Sequence, residues 1–238
     1  MPDFPLATAH GPFVELFPDV FVVQSAFTMG PLFSITRNMI VLREHRDLTL
    51  VNAVRLSPAG EEALLGLGDV RHQVKIGHFH TRDDAYVRDR FGGTFWAPAP
   101  ADHTTQRLVE GAPGPHSRAR VFVFEHTGAR EAALVLDQAE GGLLVTCDSV
   151  QHWPDTEGCS FLGGLVTRAM GFLKPPAKIG PIWAKQLTAG KPSVLRPDFD
   201  RLLSMGFAHL ISGHGALLRD VAAQELTRSV DVTFSGRR

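Results

Sequence analysis

The chain has 238 residues, 44% of them hydrophobic, which is ample for one large buried core or two small ones. Its formal net charge of -1 lacks the clustered Lys and Arg that track a phosphate backbone, so nucleic acid is not an expected partner. Two cysteines, Cys147 and Cys159, are too sparse for a disulfide framework, and the chain shows neither an export leader nor the roughly eighteen consecutive apolar residues of a membrane span, so a cytoplasmic protein off the membrane is expected.

Val20 to Gln24, Met39 to Arg43 and Leu48 to Asn52 are short runs rich in Val, Ile and Leu with turn residues between them, and they predict a strand meander. Ser57-Pro58-Ala59-Gly60-Glu61 offers an N-cap, a proline at the first helical position and an early acid. Leu64, Leu65 and Leu67 continue on a helical period and Gly68 stops it. Val70 to Ile76 returns to strand, and Asp83 to Arg90 predicts a short helix whose first turn carries two aspartates, favourable against the helix dipole. Phe95-Trp96-Ala97 is another short strand.

Val121 to Phe124, Ala132 to Leu136 and Leu143 to Thr146 predict three more strands, separated by turns such as Glu140-Gly141-Gly142. Gln151 to Pro197 is irregular and partly helical. Pro197 to Met205 then predicts a helix, His209 to Ile211 the last strand, and Asp220 to Val230 a terminal helix. The order is strands, alternation, strands, alternation. It predicts an α/β sandwich of two sheets packed face to face with helices outside, in a single domain over residues 1–238.

Chemistry-bearing residues recur where the apolar runs end. His78 and His80 are two apart, so in an extended segment both imidazoles face one way and can share an ion. Asp83 and Asp84 follow at a helix start, from which a carboxylate can reach back to the same point. His126 follows Val121 to Glu125, and Asp148 leaves a strand that should be buried on both faces, where an unpartnered carboxylate is costly. His214 sits between Gly213 and Gly215, which permit close approach to a bound group. Each also has a plainer use: a turn histidine for His126, a cap or turn residue for Asp148, a solvated strand end for His78 and His80. The remaining histidines, His10, His45, His72, His103, His116, His152 and His209, are set aside, with His103 and His116 as substitutes for His126.

Taken in order, these fragments resemble the metallo-β-lactamase fold superfamily, whose pattern is an HxHxDH loop, a later GHTxG-like turn, a strand-end GD and a last His in a glycine turn. His78 and His80 match the first element, Glu125-His126-Thr127-Gly128 the second, Cys147-Asp148-Ser149 the third with Cys for the usual Gly, and Ser212-Gly213-His214-Gly215 the fourth. The resemblance implies an αββα sandwich of two mixed sheets and a metal site built from His78, His80, Asp83, His126, Asp148 and His214. It implies one or two divalent ions, zinc first, and a hydrolase that uses a metal-bound hydroxide on a small-molecule ester, thioester, lactone or related substrate. Where the family has Asp and His in the first loop, this chain has Arg82, Asp83 and Asp84. Oxygen in place of nitrogen favours iron or manganese at a second position, or weakens it. Asp83 or Asp84, if free of metal, is placed to orient the water or take its proton. Iron-based redox chemistry and a metal-poor binding protein are the alternatives.

By position in the family, residues 151–197 form a lid or cover, whose Trp153, Phe161, Phe172 and Trp183 either wall an apolar pocket or cover the sheet. Cys147 reads as a small buried thiol, not a nucleophile. A small-molecule substrate is the expected partner, and a homodimer is left open.

Overall fold

The computed structural model describes residues 4–30, 32–99, 104–138 and 141–235. The first sheet follows chain order: β1 (Val14–Phe17), β2 (Val20–Gly30), β3 (Phe33–Glu44), β4 (Asp47–Val51), β5 (Asp69–Val74), β6 (Thr94–Ala97) and β7 (Gln106–Arg107). Strands β1 to β4 pair antiparallel, and β4 to β7 pair parallel. Parallel neighbours need a crossover, which α1 (Pro58–Leu67) and α2 (Asp84–Phe91) supply. Ser57 caps α1 as expected, its hydroxyl accepting from the Gly60 amide at 3.2 Å.

The second sheet has the spatial order β13 (His209–Ser212), β10 (Leu143–Thr146), β9 (Ala132–Leu136), β8 (Ala119–Val123). Strands β10 and β13 run parallel, so their C-terminal ends, which lead to Asp148 and His214, emerge side by side. Between them run β11 (Val150–Gln151), α3 (Phe161–Ala169), β12 (Lys178–Ile179), α4 (Pro181–Leu187) and α5 (Arg196–Ser204), and α6 (Ala222–Phe234) closes the described chain.

Side-chain alternation along the strands builds the layers. Val121, Val123, Leu134, Val145 and Ile211 face inward and pack with Val20, Ile40, Leu42 and Val74 of the first sheet. On the opposite face Phe122, Phe124, Val135, Leu144 and Leu210 pack under Trp183, Phe199, Leu202, Leu226 and Val230 of the helices. The outer face of the first sheet, with Val23, Met39, Val41 and Leu50, is covered by Leu64 and Val87 of α1 and α2. The result is the expected helix, sheet, sheet, helix order.

The main departure from the sequence reading is the length of the first hairpin. Strands β2 and β3 extend from the expected five-residue runs to 11 and 12 residues. In their outer halves Phe27, Met29, Phe33 and Ile35 alternate with Thr28, Ser34 and Thr36 and line the cavity. No helix among the described residues is long and apolar enough to cross a membrane.

Candidate metal centre

Three side chains from distant parts of the chain converge at the ends of β10 and β13. His80 Nε2 lies 3.0 Å from His214 Nε2, and Asp148 reaches them at 3.5 Å (Oδ2 to His80) and 3.3 Å (Oδ1 to His214). Their donor atoms all lie within 4.8 Å of one another, a spacing and donor set able to hold a metal ion. Among the described residues this is the cluster with that property.

Two of the three donors, His214 and Asp148, are oriented from behind. His214 Nδ1 donates to the Thr36 carbonyl at 2.7 Å, which leaves the Nε2 lone pair facing the cluster. Asn38 Nδ2 donates to the carbonyls of Ser212 (2.9 Å) and Gly215 (3.0 Å) and pins the turn that carries His214. The flanking glycines are sterically required. A Cβ on Gly215, whose φ is +71°, would lie 2.0 Å from the His152 carbonyl oxygen, and one on Gly213 would press His80 and Cys147 at 3.2 Å. Gln151 donates to Asp148 Oδ1 at 3.3 Å and accepts from Trp153 Nε1 at 2.8 Å, while the Trp153 ring stacks on His214.

Burial works to raise the Asp148 carboxyl, but the imidazoles of His80 and His214 outweigh it and hold the group well below the usual carboxylate range. Asp148 is therefore ionised. Burial pushes the Cys147 thiol well up, consistent with a packing role.

The other candidates stand elsewhere. Strand β5 ends at Val74, so residues 77–80 form a bend and the same-face rule for residues two apart does not operate there. His78 turns outward beside Phe79 while His80 turns in. His126 binds Asp198 of α5, its Nδ1 3.1 Å from Oδ1 and its backbone N–H donating to Oδ2 at 3.0 Å. Asp198 is wholly buried, and His126 is not among the three residues that converge. Asp83 is buried and paired with two guanidiniums, Arg37 and Arg82, the latter at 2.6 Å. Asp84 lies 3.4 Å from Lys75 Nζ, and burial pushes its carboxyl above the usual range. Neither aspartate lines the cavity that contains the cluster. Of the substitutes for His126, His116 is buried away from the cluster and His103 lies outside the described residues.

One residue beside the site went unmarked in the sequence. Glu131 is fully buried, accepting from the His78 amide (3.4 Å) and the Ser149 amide (3.1 Å), so it ties the two loops that present His80 and Asp148. Burial, reinforced by the charge of Asp148, pushes its carboxyl up to about 8. The available signal was a lone acid immediately before the wholly apolar run Ala132–Leu136.

The cluster opens into a cavity of about 390 Å³. Trp153, Phe172 and Trp183 line it, whereas Phe161 is 90% exposed and does not. Trp183 also belongs to the core under α4, so it serves both uses the sequence left open.

No family model matches the chain, and no curated protein matches its sequence. Solved structures do match its fold. The metallo-β-lactamase DIM-1, in a crystal exposed to ceftazidime, superposes with a TM-score of 0.63 at 11% identity, covering 98% of this chain and 100% of that one. A metallo-β-lactamase from Erythrobacter litoralis gives 0.59 at 11% identity, covering 92% of both chains. The metallo-β-lactamase FIM-1 from Pseudomonas aeruginosa, in a mono-zinc form, gives 0.60 at 10% identity, covering 96% and 97%.

Proposed function

We propose that this chain, which has the metallo-β-lactamase fold, is a metal-dependent hydrolase with one ion held by His80, Asp148 and His214, acting on a small-molecule ester, thioester or lactone. The observation that carries the reading is the convergence of two imidazole nitrogens and an ionised carboxylate at the floor of a cavity. Two histidines and one carboxylate match catalytic zinc sites, which use three protein ligands and keep a fourth position open. A divalent ion held there supplies a Lewis acid and lowers the pKa of a water in the open position. FIM-1 in its mono-zinc form is a precedent on this fold for a single zinc.

The protein's own residues do the remaining work. The Thr36 carbonyl fixes the His214 tautomer, and Gln151, steadied by Trp153, orients Asp148. Arg37 and Arg82 share the single carboxylate of Asp83 and both line the cavity, so that wall carries a surplus positive charge toward the oxyanion that develops on carbonyl attack. In this reading residues 1–238 are one domain, and residues 151–197 cover the site.

The same donor set favours a second reading, since two histidines and a carboxylate with open positions also suit non-haem Fe(II). Assays of aryl ester, thioester and lactone panels test the hydrolase directly. Turnover should disappear with chelator and in Asp148→Ala and return on adding zinc. Activity restored by iron alone, and only with a reductant present, supports the redox reading instead.

A further inference from the structure

Apolar side chains make up most of the cavity's lining, alongside the cluster itself and the polar Arg37, Thr81, Arg82, Gln151 and Thr167, and one wall is built by the long hairpin. On β3, Arg37, Ile35 and Phe33 alternate onto one face, with Phe27 paired opposite Ile35 on β2. From Arg37 to Phe33 this wall runs about 13 Å at the rise of a strand. Its inner end adjoins the cluster, because Thr36 holds His214. Its outer end reaches the hairpin tip, where the Ser160 hydroxyl donates to the Leu32 carbonyl at 2.9 Å and docks the start of α3. Gly163 lets α3 approach, since a Cβ there would lie 2.1 Å from the Ser34 carbonyl oxygen. Helix α3 then presents Val166 to the cavity, and Met170 follows one turn later.

On the α3 side the polar Thr167 hydroxyl is already spent on the Gly163 carbonyl at 2.8 Å. The apolar lining continues onto the surface, where Met29, Leu32, Phe161 and Leu165 are all more than half exposed. An apolar wall that leads from the His80, Asp148 and His214 cluster to an apolar rim fits a flexible alkyl chain better than a compact polar ring.

We propose that the substrate carries an uncharged, unbranched alkyl or acyl arm of medium length, laid along the β2–β3 hairpin beneath α3 with its hydrolysable head at His80, Asp148 and His214. The head's chemistry rests on the hydrolase reading, whereas the arm's site does not.

The test is titration of the full-length protein with 1-alkanols from butan-1-ol to decan-1-ol, followed by calorimetry and by the fluorescence of Trp153 and Trp183, which line the cavity. Binding should be one per chain and tighten about fourfold per added methylene until the chain outruns the cavity. The slope should collapse in Met170→Glu and in Ile182→Asp, two partly exposed positions where folding is tolerated, and persist in Val232→Glu on the far surface of α6. Affinity flat in chain length, or a slope unchanged in both cavity variants, overturns the proposal. Metal content and ester turnover of the wild-type protein separate the two readings. A methylene slope in a protein that takes up no metal and turns over no ester supports the arm site and refutes the hydrolase, whereas metal uptake and turnover without a slope do the reverse.

Discussion

His80 and His214, separated by 134 positions, meet nitrogen to nitrogen at 3.0 Å with the Asp148 carboxylate beneath both. Two imidazole nitrogens this close need a shared proton or a shared cation between them. With Nδ1 of His214 committed to Thr36, the proton on the metal-free pair belongs to His80. The same three side chains have the donor set and spacing to hold a metal ion in place of that proton.

Gly215 and Gly190 have similar left-handed backbones, φ +71° and +81°, but different surroundings. A Cβ on Gly190 meets nothing within 4 Å, whereas one on Gly215 would collide with the His152 carbonyl. Gly190→Ala should therefore cost only backbone strain, about 1 kcal/mol. Gly215→Ala should cost more in urea denaturation and also weaken metal binding by displacing His214. Equal costs would show that the turn does not constrain the cluster.

Among the described residues Asp83 is the carboxylate that Arg37 and Arg82 share, and Arg37 Nε has no hydrogen-bond partner there. Asp83→Asn should destabilise the protein by roughly 3–5 kcal/mol, the usual cost of orphaning a buried charge. Adding Arg37→Met should recover part of the loss. A double variant no more stable than the single one would contradict the pairing.

Glu131 gives a pH signature in metal-free protein. Its carboxyl in the unfolded chain loses its proton near the ordinary glutamate value of 4.5, but in the fold only near 8. Between those values the native state binds the extra proton, so stability falls as pH rises through this window. Asp148 acts in the opposite sense but below the ordinary aspartate value of 3.8, so the two do not overlap. Thermal melts from pH 4.5 to 8 should show the decline, and Glu131→Gln should flatten it. An unchanged profile in that variant would rule Glu131 out as the source.

Much of the fold was legible because binary pattern and turn chemistry act locally. Ala132–Leu136 and Leu143–Thr146 fall where the apolar runs place them, and Ser57 caps α1 through its own side chain. The long β2–β3 hairpin was under-read because its outer half packs against α3 and the cavity, a partner more than a hundred residues away.

The site was legible in part. Asp148 and His214 leave neighbouring parallel strands, so their meeting follows from topology that the sequence order already suggests. The structure sets His78 and His126 apart from the three converging residues, for reasons invisible in a motif. His78 lies on a bend instead of a strand, and His126 is claimed by Asp198, 72 positions away and buried in α5. Asp83 fits the motif position but is claimed by Arg37, 46 positions before it.

His126 and Asp198 offer a contrast with the cluster. His126→Ala should leave metal content unchanged and lower stability by about 1–3 kcal/mol, because the buried Asp198 carboxylate loses a partner. Loss of metal in this variant, measured by elemental analysis, would return His126 to the ligand set.

The central claim is one ion bound by three residues, and the most direct measurement is metal content per chain on the purified protein and its histidine variants. Wild type, His78→Ala and His126→Ala should each hold one equivalent, and His80→Ala, Asp148→Ala and His214→Ala none. Two equivalents in wild type, falling to one in His78→Ala or His126→Ala, would contradict the account.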